Sequence, residues 1–380
     1  MNGPQVRPTV VRVDLAAVRH NVRTLAATAG TEVCAVVKAD AYGHGAVEVG
    51  RAALEAGASW LGVALVEEGA TLRRAGIDAP ILLLSEPPVA GIGALLDARL
   101  TPVVYQPPFL AALDAAAADR GETVSVHVKA DTGMGRVGVP PRAWTDLLRQ
   151  AAGARSLVVD GLMTHLACAD EPERDVTGDQ LAGFERFLAA ARGLGLEPRW
   201  IHAANTAGTL LHPAARHDLV RPGIGVYGLS PAPAVDAAEH GLLPALSLVS
   251  QVSFAKRVEA GTAVSYGHRW AAPTDGWVAT VPVGYADGVP RRLTGHGEVL
   301  LGGARRPIAG TVTMDQLLVW CGDLEPAVGD EVVLLGRQGD EQLRVEDWAR
   351  HLGTITYELT SQLTSRLPRT YVGGQPPAAG

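Results

Sequence analysis

The chain has 380 residues, 47% of them hydrophobic and 19% charged, and carries a net charge of −7. That length suits roughly two to three domains, and the composition excludes a disordered chain. The acidic balance argues against nucleic acid as the main partner, because phosphate binding needs clustered cations, and no apolar run approaches the ~18 residues of a membrane span.

The first thirteen residues hold no apolar export segment. Cys34, Cys168 and Cys321 are odd in number and widely spaced, which fits free thiols in a reducing cytoplasm and not a structural zinc site. A β-branched run at 9–13 predicts a strand, and Asp14 then caps a helix with Leu15, Val18, Val22 and Leu25 on one face. From there apolar strand candidates at 33–37, 60–64, 81–84, 101–104, 124–128, 158–163, 200–202 and 219–226 alternate with helical segments such as 46–56, 109–118, 144–151 and 180–194. Eight such units predict a (β/α)₈ barrel, which leaves no sheet edge exposed. After Ser230-Pro231-Ala232-Pro233 the helical spacing stops. Short alternating runs at 246–252, 262–266, 277–283, 298–301, 312–320 and 331–335 predict a smaller, mainly-β domain, with one late helix at 345–352. The expected division is 9–235 for the barrel and 236–372 for the β domain, with flexible ends at 1–8 and 373–380.

The chemistry gathers at the predicted ends of barrel strands, where ligands of such folds bind. Val36-Val37-Lys38 ends in a lysine followed by Tyr42 and a Gly43-His44-Gly45 turn. Partial burial there would lower the amine's pKa from about 10.4 and make it a nucleophile. The stretch alone fits a solvated lysine equally well. Lys129 closes the fifth strand, and Arg136 follows on a glycine-rich loop, where its planar fork suits a carboxylate. His165 follows the sixth strand and could tune a neighbour or be structural. Asn205, Thr206 and the Arg221-Pro222-Gly223-Ile224-Gly225 run follow the last two, where small residues let backbone N–H groups approach an anion, although ordinary turns read the same way. One amine, one anion pocket and one carboxylate clamp suit a phosphorylated aldehyde cofactor held as a Schiff base on Lys38.

The motifs, in order along nearly the whole chain, resemble those of alanine racemases. The lysine segment Ala35-Val36-Val37-Lys38-Ala39-Asp40-Ala41-Tyr42-Gly43-His44-Gly45 is followed by Gly62 to Gly69, Asp131 to Gly138, Thr164 to Asp170, Ser265-Tyr266-Gly267, Gly284 to Gly288 and Met314-Asp315-Gln316. The resemblance implies pyridoxal 5′-phosphate on Lys38. Tyr42, Thr206, the Gly223 and Ile224 backbone and Tyr357 match phosphate-binding positions, with Asn205 beside them. Arg221 matches the residue that hydrogen-bonds the pyridine nitrogen. Lys38 and Tyr266 match the two catalytic bases of a racemisation, Tyr266 coming from the partner subunit of a homodimer. A free tyrosine has a pKa near 10, and His165 with Arg221 matches the network that tunes it. Arg136 matches the contact to the cofactor ring oxygen and substrate carboxylate, the Met314 backbone N–H matches a donor to that carboxylate, and Asp170, Tyr285 and Arg291 match positions lining the substrate corridor. Lys129 matches a lysine carbamylated in many members. Thr311 stands where many members have a corridor arginine.

The activity so implied is interconversion of L- and D-alanine in the cytoplasm, supplying D-alanine for peptidoglycan, with no metal, membrane or nucleic acid involved. Alternatives are a racemase for serine or a broader set of amino acids, and a non-catalytic pyridoxal-phosphate carrier. The β domain and Tyr266 argue against a carrier. A related barrel that cleaves or dehydrates D-amino acids would want a metal pair in the second domain, and Cys321 has no close histidine partner in sequence.

Overall fold

The computed structural model describes residues 6–374. Its contacts separate two units, one formed by Val18–Tyr42 and Ala46–Leu243, the other by the described residues of 1–17, 43–45 and 244–380.

The chain's first strand, β1 (Val10–Asp14), belongs to the second unit and is taken up below. The first unit holds eight parallel strands: β2 (Glu32–Val36), β3 (Trp60–Val63), β4 (Ile81–Leu83), β5 (Thr101–Val104), β6 (Val124–Lys129), β7 (Leu157–Met163), β8 (Trp200–His202) and β9 (Leu219–Val220). They pair in the order β8-β7-β6-β5-β4-β3-β2-β9. The two ends of this path are joined by Asp218 N–H donating to Ile201 O (3.0 Å) and Arg221 N–H to Ala204 O (2.9 Å), so the barrel nearly closes. Helices between the strands, among them Ala46–Glu55, Val66–Arg74, Pro107–Arg120, Trp144–Ala152 and Val176–Gly193, cover its outside. Cys34, Trp60, Leu82, Val103, Met163, Trp200 and Leu219 form one buried cluster contributed by seven of the strands. The last strand is shorter than the expected 219–226. Pro222 has no N–H to give a ladder, Gly223 follows, and the backbone turns into a 3₁₀ helix at Ile224–Tyr227.

The expected split at residue 235 is drawn differently by the contacts. β1 pairs antiparallel with β10 (Leu246–Gln251) and parallel with Arg369–Val372, inside the sheet of the second unit. That sheet has seven strands and buries Val10, Val249, Leu300, Val333 and Leu343. A three-stranded sheet joins Phe254–Val258, Gly276–Val281 and Leu317–Gly322. The anticipated strand at 312–320 begins only at Leu317, because Val312 to Gln316 form a tight turn closed by Thr313 N–H on Gln316 O (3.0 Å). The expected helix stands at Val345–Leu352, and a second, Thr356–Ser361, was not foreseen. Of the ends expected to be flexible, 1–5 and 375–380 lie outside the described residues. Gly373 is held: a Cβ there would stand 2.5 Å from Asp14 Oδ1. No helix among the described residues is long and apolar enough to cross a membrane.

Candidate active site

Lys38 follows β2 directly, and the backbone after it reverses hand. Ala39 (φ 52, ψ 49), Asp40 (φ 51, ψ 48) and Ala41 (φ 54, ψ 49) form a left-handed turn that Tyr42 (φ 54) completes. Outside glycine this conformation costs roughly 1–2 kcal/mol per residue. Neighbours hold it. Glu68 accepts from Ala39 N–H (2.7 Å) with one oxygen and from Ala64 and Leu65 N–H (2.8 and 3.1 Å) with the other. Ala41 N–H reaches Val37 O (2.8 Å), and Asp40 Oδ1 accepts from Ala46 N–H (2.8 Å). Glu68 lies in a block the sequence singled out, yet no spacing or composition marked it as the brace of the lysine turn. Gly43 and Gly45 close the segment at φ 85 and 97.

Lys129, His165, Thr206 and Arg221 all stand at the same C-terminal ends of barrel strands. Burial, then the Arg136 cation, lowers the Lys38 ammonium, with Glu68 opposing. Burial and the Arg221, Arg136 and Lys38 cations pull Lys129 down to about 8 against the opposing Asp131. These groups therefore share one field. Arg136 itself is exposed on its loop, which Asp131 shapes by accepting from Gly133 and Gly135 N–H (each 3.0 Å).

Arg221 is buried and has no carboxylate partner among the described residues. Its Nη1 donates to His202 Nδ1 (2.8 Å), and its Nη2 to Thr164 O (2.8 Å), Ala203 O (3.0 Å) and, at 3.4 Å, His165 Nδ1. Burial brings the guanidinium to about 10, and burial with the Arg221 charge holds His165 well below its usual value. The Arg221 Nε–H donates to no acceptor among the described residues, which leaves a charged donor for a ligand.

Beside it, Thr206 Oγ1 accepts from Gly223 and Gly225 N–H (3.1 and 3.2 Å), so its own proton is free to be donated outward. A Cβ on Gly223 would meet the Tyr42 hydroxyl at 2.4 Å. Tyr42, Thr206, Gly223 and Ile224 are thus brought together as the sequence anticipated. Tyr227, which the sequence reading missed, packs on Tyr42 (centroids 5.0 Å) and donates to Val36 O (2.8 Å). The Asn205 Oδ1 caps the following helix, accepting from Gly208 N–H at 2.9 Å. Thr206→Val removes the acceptor of two buried N–H groups at nearly constant shape. We expect a loss of about 1–3 kcal/mol in urea unfolding, together with a higher dissociation constant for the phosphorylated ligand.

The remaining candidates stand in the second unit. Tyr266 is 75% exposed. It follows Ser265 (φ 65), and its turn is tied down by Ser265 Oγ donating to Thr311 O (2.8 Å) and Thr311 Oγ1 to Tyr266 O (3.0 Å). Thr311, read as a departure in a corridor, here fixes the tyrosine loop. Ser265, Tyr266, His268, Thr313 and Gln316 line a cavity of about 540 Å³. Met314 is joined to the Tyr285 turn through Ala286 N–H on Met314 O (3.1 Å), and its own N–H has no acceptor among the described residues. The buried carboxylate of Asp287 anchors that turn, accepting from Gly284 N–H (2.9 Å) and from both Nη atoms of Arg7. Tyr357 lies half-buried on the helix Thr356–Ser361, Asp170 is half-buried, and Arg291 is exposed. No group of three or more His, Cys, Asp or Glu among the described residues could hold a metal.

Residues 13–231 match the alanine racemase N-terminal domain family and residues 245–371 the alanine racemase C-terminal domain family. The chain belongs to the alanine racemase family. An alanine racemase of Symbiobacterium thermophilum is 46% identical over 97% of this chain and 98% of its own length. One from Frankia casuarinae is 44% identical over 95% of each. The crystal structure of alanine racemase from D-cycloserine-producing Streptomyces lavendulae superposes with a TM-score of 0.94 at 41% identity, covering 98% of this chain and 99% of that one. Alanine racemases depend on pyridoxal phosphate, and the residues present fit it. The lowered Lys38 amine suits an aldehyde. The free Thr206 proton beside close-set glycines suits a phosphate, and the unspent Arg221 Nε–H suits a neutral ring nitrogen.

Proposed function

We propose that this chain interconverts L- and D-alanine by taking the Cα proton from one face and returning one to the other. Pyridoxal phosphate, when bound, supplies an electron sink conjugated to Cα. The Lys38 amine would hold that group and, when free, would serve one face of Cα as base. The partner subunit's Tyr266 serves the other, in a homodimer whose sites are shared. The tyrosine's exposure supports this reading, since a residue that must reach a second copy is left uncovered by its own. Tyr42, Thr206 and the Gly223–Ile224 backbone hold the phosphate, with Tyr357 and Asn205 assigned to the cofactor by resemblance. Arg136, Met314 and Tyr285 orient the substrate carboxylate and methyl group, and His165 connects to Arg221.

The observation that carries the proposal is Arg221. A buried guanidinium cannot accept a proton, and its charge opposes protonation of a ring nitrogen beside it. Electron density then stays near Cα, where a returning proton restores an amino acid. The D-alanine so formed would supply peptidoglycan synthesis, and a cytoplasmic location is part of the same proposal. The test is exchange of the α-hydrogen of L-alanine in D₂O with optical rotation followed in parallel, and L-serine as the competing substrate. We expect L-alanine to lose rotation and α-proton together, faster than serine. No exchange with pyridoxal phosphate still bound would overturn the reading.

Lys129 enters through its lowered ammonium. Its neutral amine attacks carbon dioxide, forming an N–C bond and releasing one proton, which leaves a carbamate anion facing Arg136. Because only the neutral amine reacts, carbamylation should rise with pH through about 8. With ¹³C-bicarbonate a carbamate resonance is expected to grow from pH 7 to pH 9 and to be absent in Lys129→Met.

A further inference from the structure

Two histidines lie wholly inside the barrel, His127 on β6 and His202 on β8. His127 Nδ1 is 2.8 Å from His202 Nε2, and His202 Nδ1 is 2.8 Å from Arg221 Nη1. The proton positions in this chain are forced. Arginine has N–H groups and no lone pair to offer, so His202 Nδ1 accepts. A neutral His202 then carries its proton on Nε2 and donates it to His127 Nδ1. His127 in turn carries its proton on Nε2. Protonating either ring at its accepting nitrogen would set N–H against N–H.

The electrostatics agree with this count. Burial and the Arg221 charge bring His127 down to about 3 and hold His202 well below its ordinary value. Arg221, His127, His217 and Lys129 are the groups acting on His202, and none is a carboxylate.

The fold makes room for His127 at a cost. Across from it on β7 stands Gly161, where a Cβ would lie 2.5 Å from the His127 ring. The β6–β7 register slips between Val126 and His127. The ring packs against Trp60 (centroids 5.4 Å), and its Nε2 has no partner among the described residues. An apolar side chain would fill this place without an unpaired donor, so an imidazole kept here has another use.

We propose that His127 is a positioning residue for Arg221, acting through His202. By accepting the Nε2 proton it fixes the orientation of the His202 ring. That ring holds Nη1, and the Nε–H of the same rigid fork is thereby aimed outward. The relay contains no movable proton, so nothing beneath Arg221 can supply one to the ring nitrogen. The kinetic consequence rests on the racemase reading, while the proton positions do not.

The experiment uses the holoenzyme labelled with ¹⁵N-histidine, and two variants. Long-range proton–nitrogen NMR is expected to show both rings neutral and protonated on Nε2 from pH 5 to pH 9. A ring that titrates in that range, or one carrying its proton on Nδ1, would overturn the proposal. His127→Leu removes the acceptor, whereas His127→Asn keeps an oxygen where Nδ1 stands. We expect His127→Leu to lower kcat about tenfold at nearly unchanged KM and to shift the absorption of the bound cofactor. His127→Asn should recover most of the rate and the wild-type band, although it packs less well. If asparagine proves no better than leucine, or leucine matches wild type, the residue is only structural. An inactive wild type with the expected tautomers would sink the racemase reading and leave the relay standing.

Discussion

Lys38→Ala is expected to lower kcat/KM for racemisation by roughly 10⁴-fold or more and to release pyridoxal phosphate on dialysis. Two separate functions are lost at once. On the function proposed above, the amine is both the covalent tether and the base for one face of Cα. Its lowered pKa, from burial and the Arg136 cation, suits both roles, because each needs the unprotonated form. The phosphate cradle of Tyr42, Thr206 and Gly223 remains, so the cofactor should still bind, reversibly. Absorption spectra before and after dialysis separate the roles. A variant that keeps the cofactor through dialysis and racemises at the wild-type rate would refute the assignment.

Tyr266→Phe should cost roughly 10²–10⁴-fold in racemisation, the usual contribution of one acid–base group. Exchange of the α-hydrogen with solvent should survive for one enantiomer only, since the Lys38 face is intact. The sharper result comes from mixing. Lys38→Ala and Tyr266→Phe should each retain at most about one hundredth of the activity alone. If Tyr266 serves the partner's site, a heterodimer holds one site with both defects and one with neither. Random reassortment then restores about one quarter of wild-type activity, as half the dimers are mixed and half their sites are intact. Mixed and reassociated variants that stay inactive would place both bases in one subunit.

Much of this was legible in the sequence because it was carried by short strands and the loops after them. The eight barrel strands announce themselves as apolar runs, and Lys38, Lys129 and Arg221 fall at their ends. What could not be read depends on pairing across long separations. Nothing local tells that Val10–Asp14 will pair with Leu246–Gln251 in the other unit. Glu68 stood in the sequence only as one residue of the Gly62 to Gly69 block, and its contact with Ala39 N–H appears only when β2 and β3 are side by side. His127 and His202 were embedded in apolar strands and read as strand residues. Only the barrel's curvature brings their rings to 2.8 Å. Asp287 was quoted within a motif, but its burial against Arg7 joins residues 280 positions apart.

The left-handed turn at Ala39–Tyr42 also bears on the order in which the chain assembles. Four non-glycine residues in that region cost roughly 4–8 kcal/mol together, comparable with the whole stability of a typical domain. No local sequence preference repays this, so the turn is essentially absent from the unfolded chain. It becomes favourable only when Glu68 is in place to accept from Ala39 N–H and the start of the Ala46–Glu55 helix to donate Ala46 N–H to the Asp40 carboxylate. The lysine segment is therefore among the last parts of the first unit to be organised. Substitutions in it should speed unfolding and leave the folding rate nearly unchanged. On this argument the barrel is built first, and the segment after Lys38 is wound into it against its natural hand.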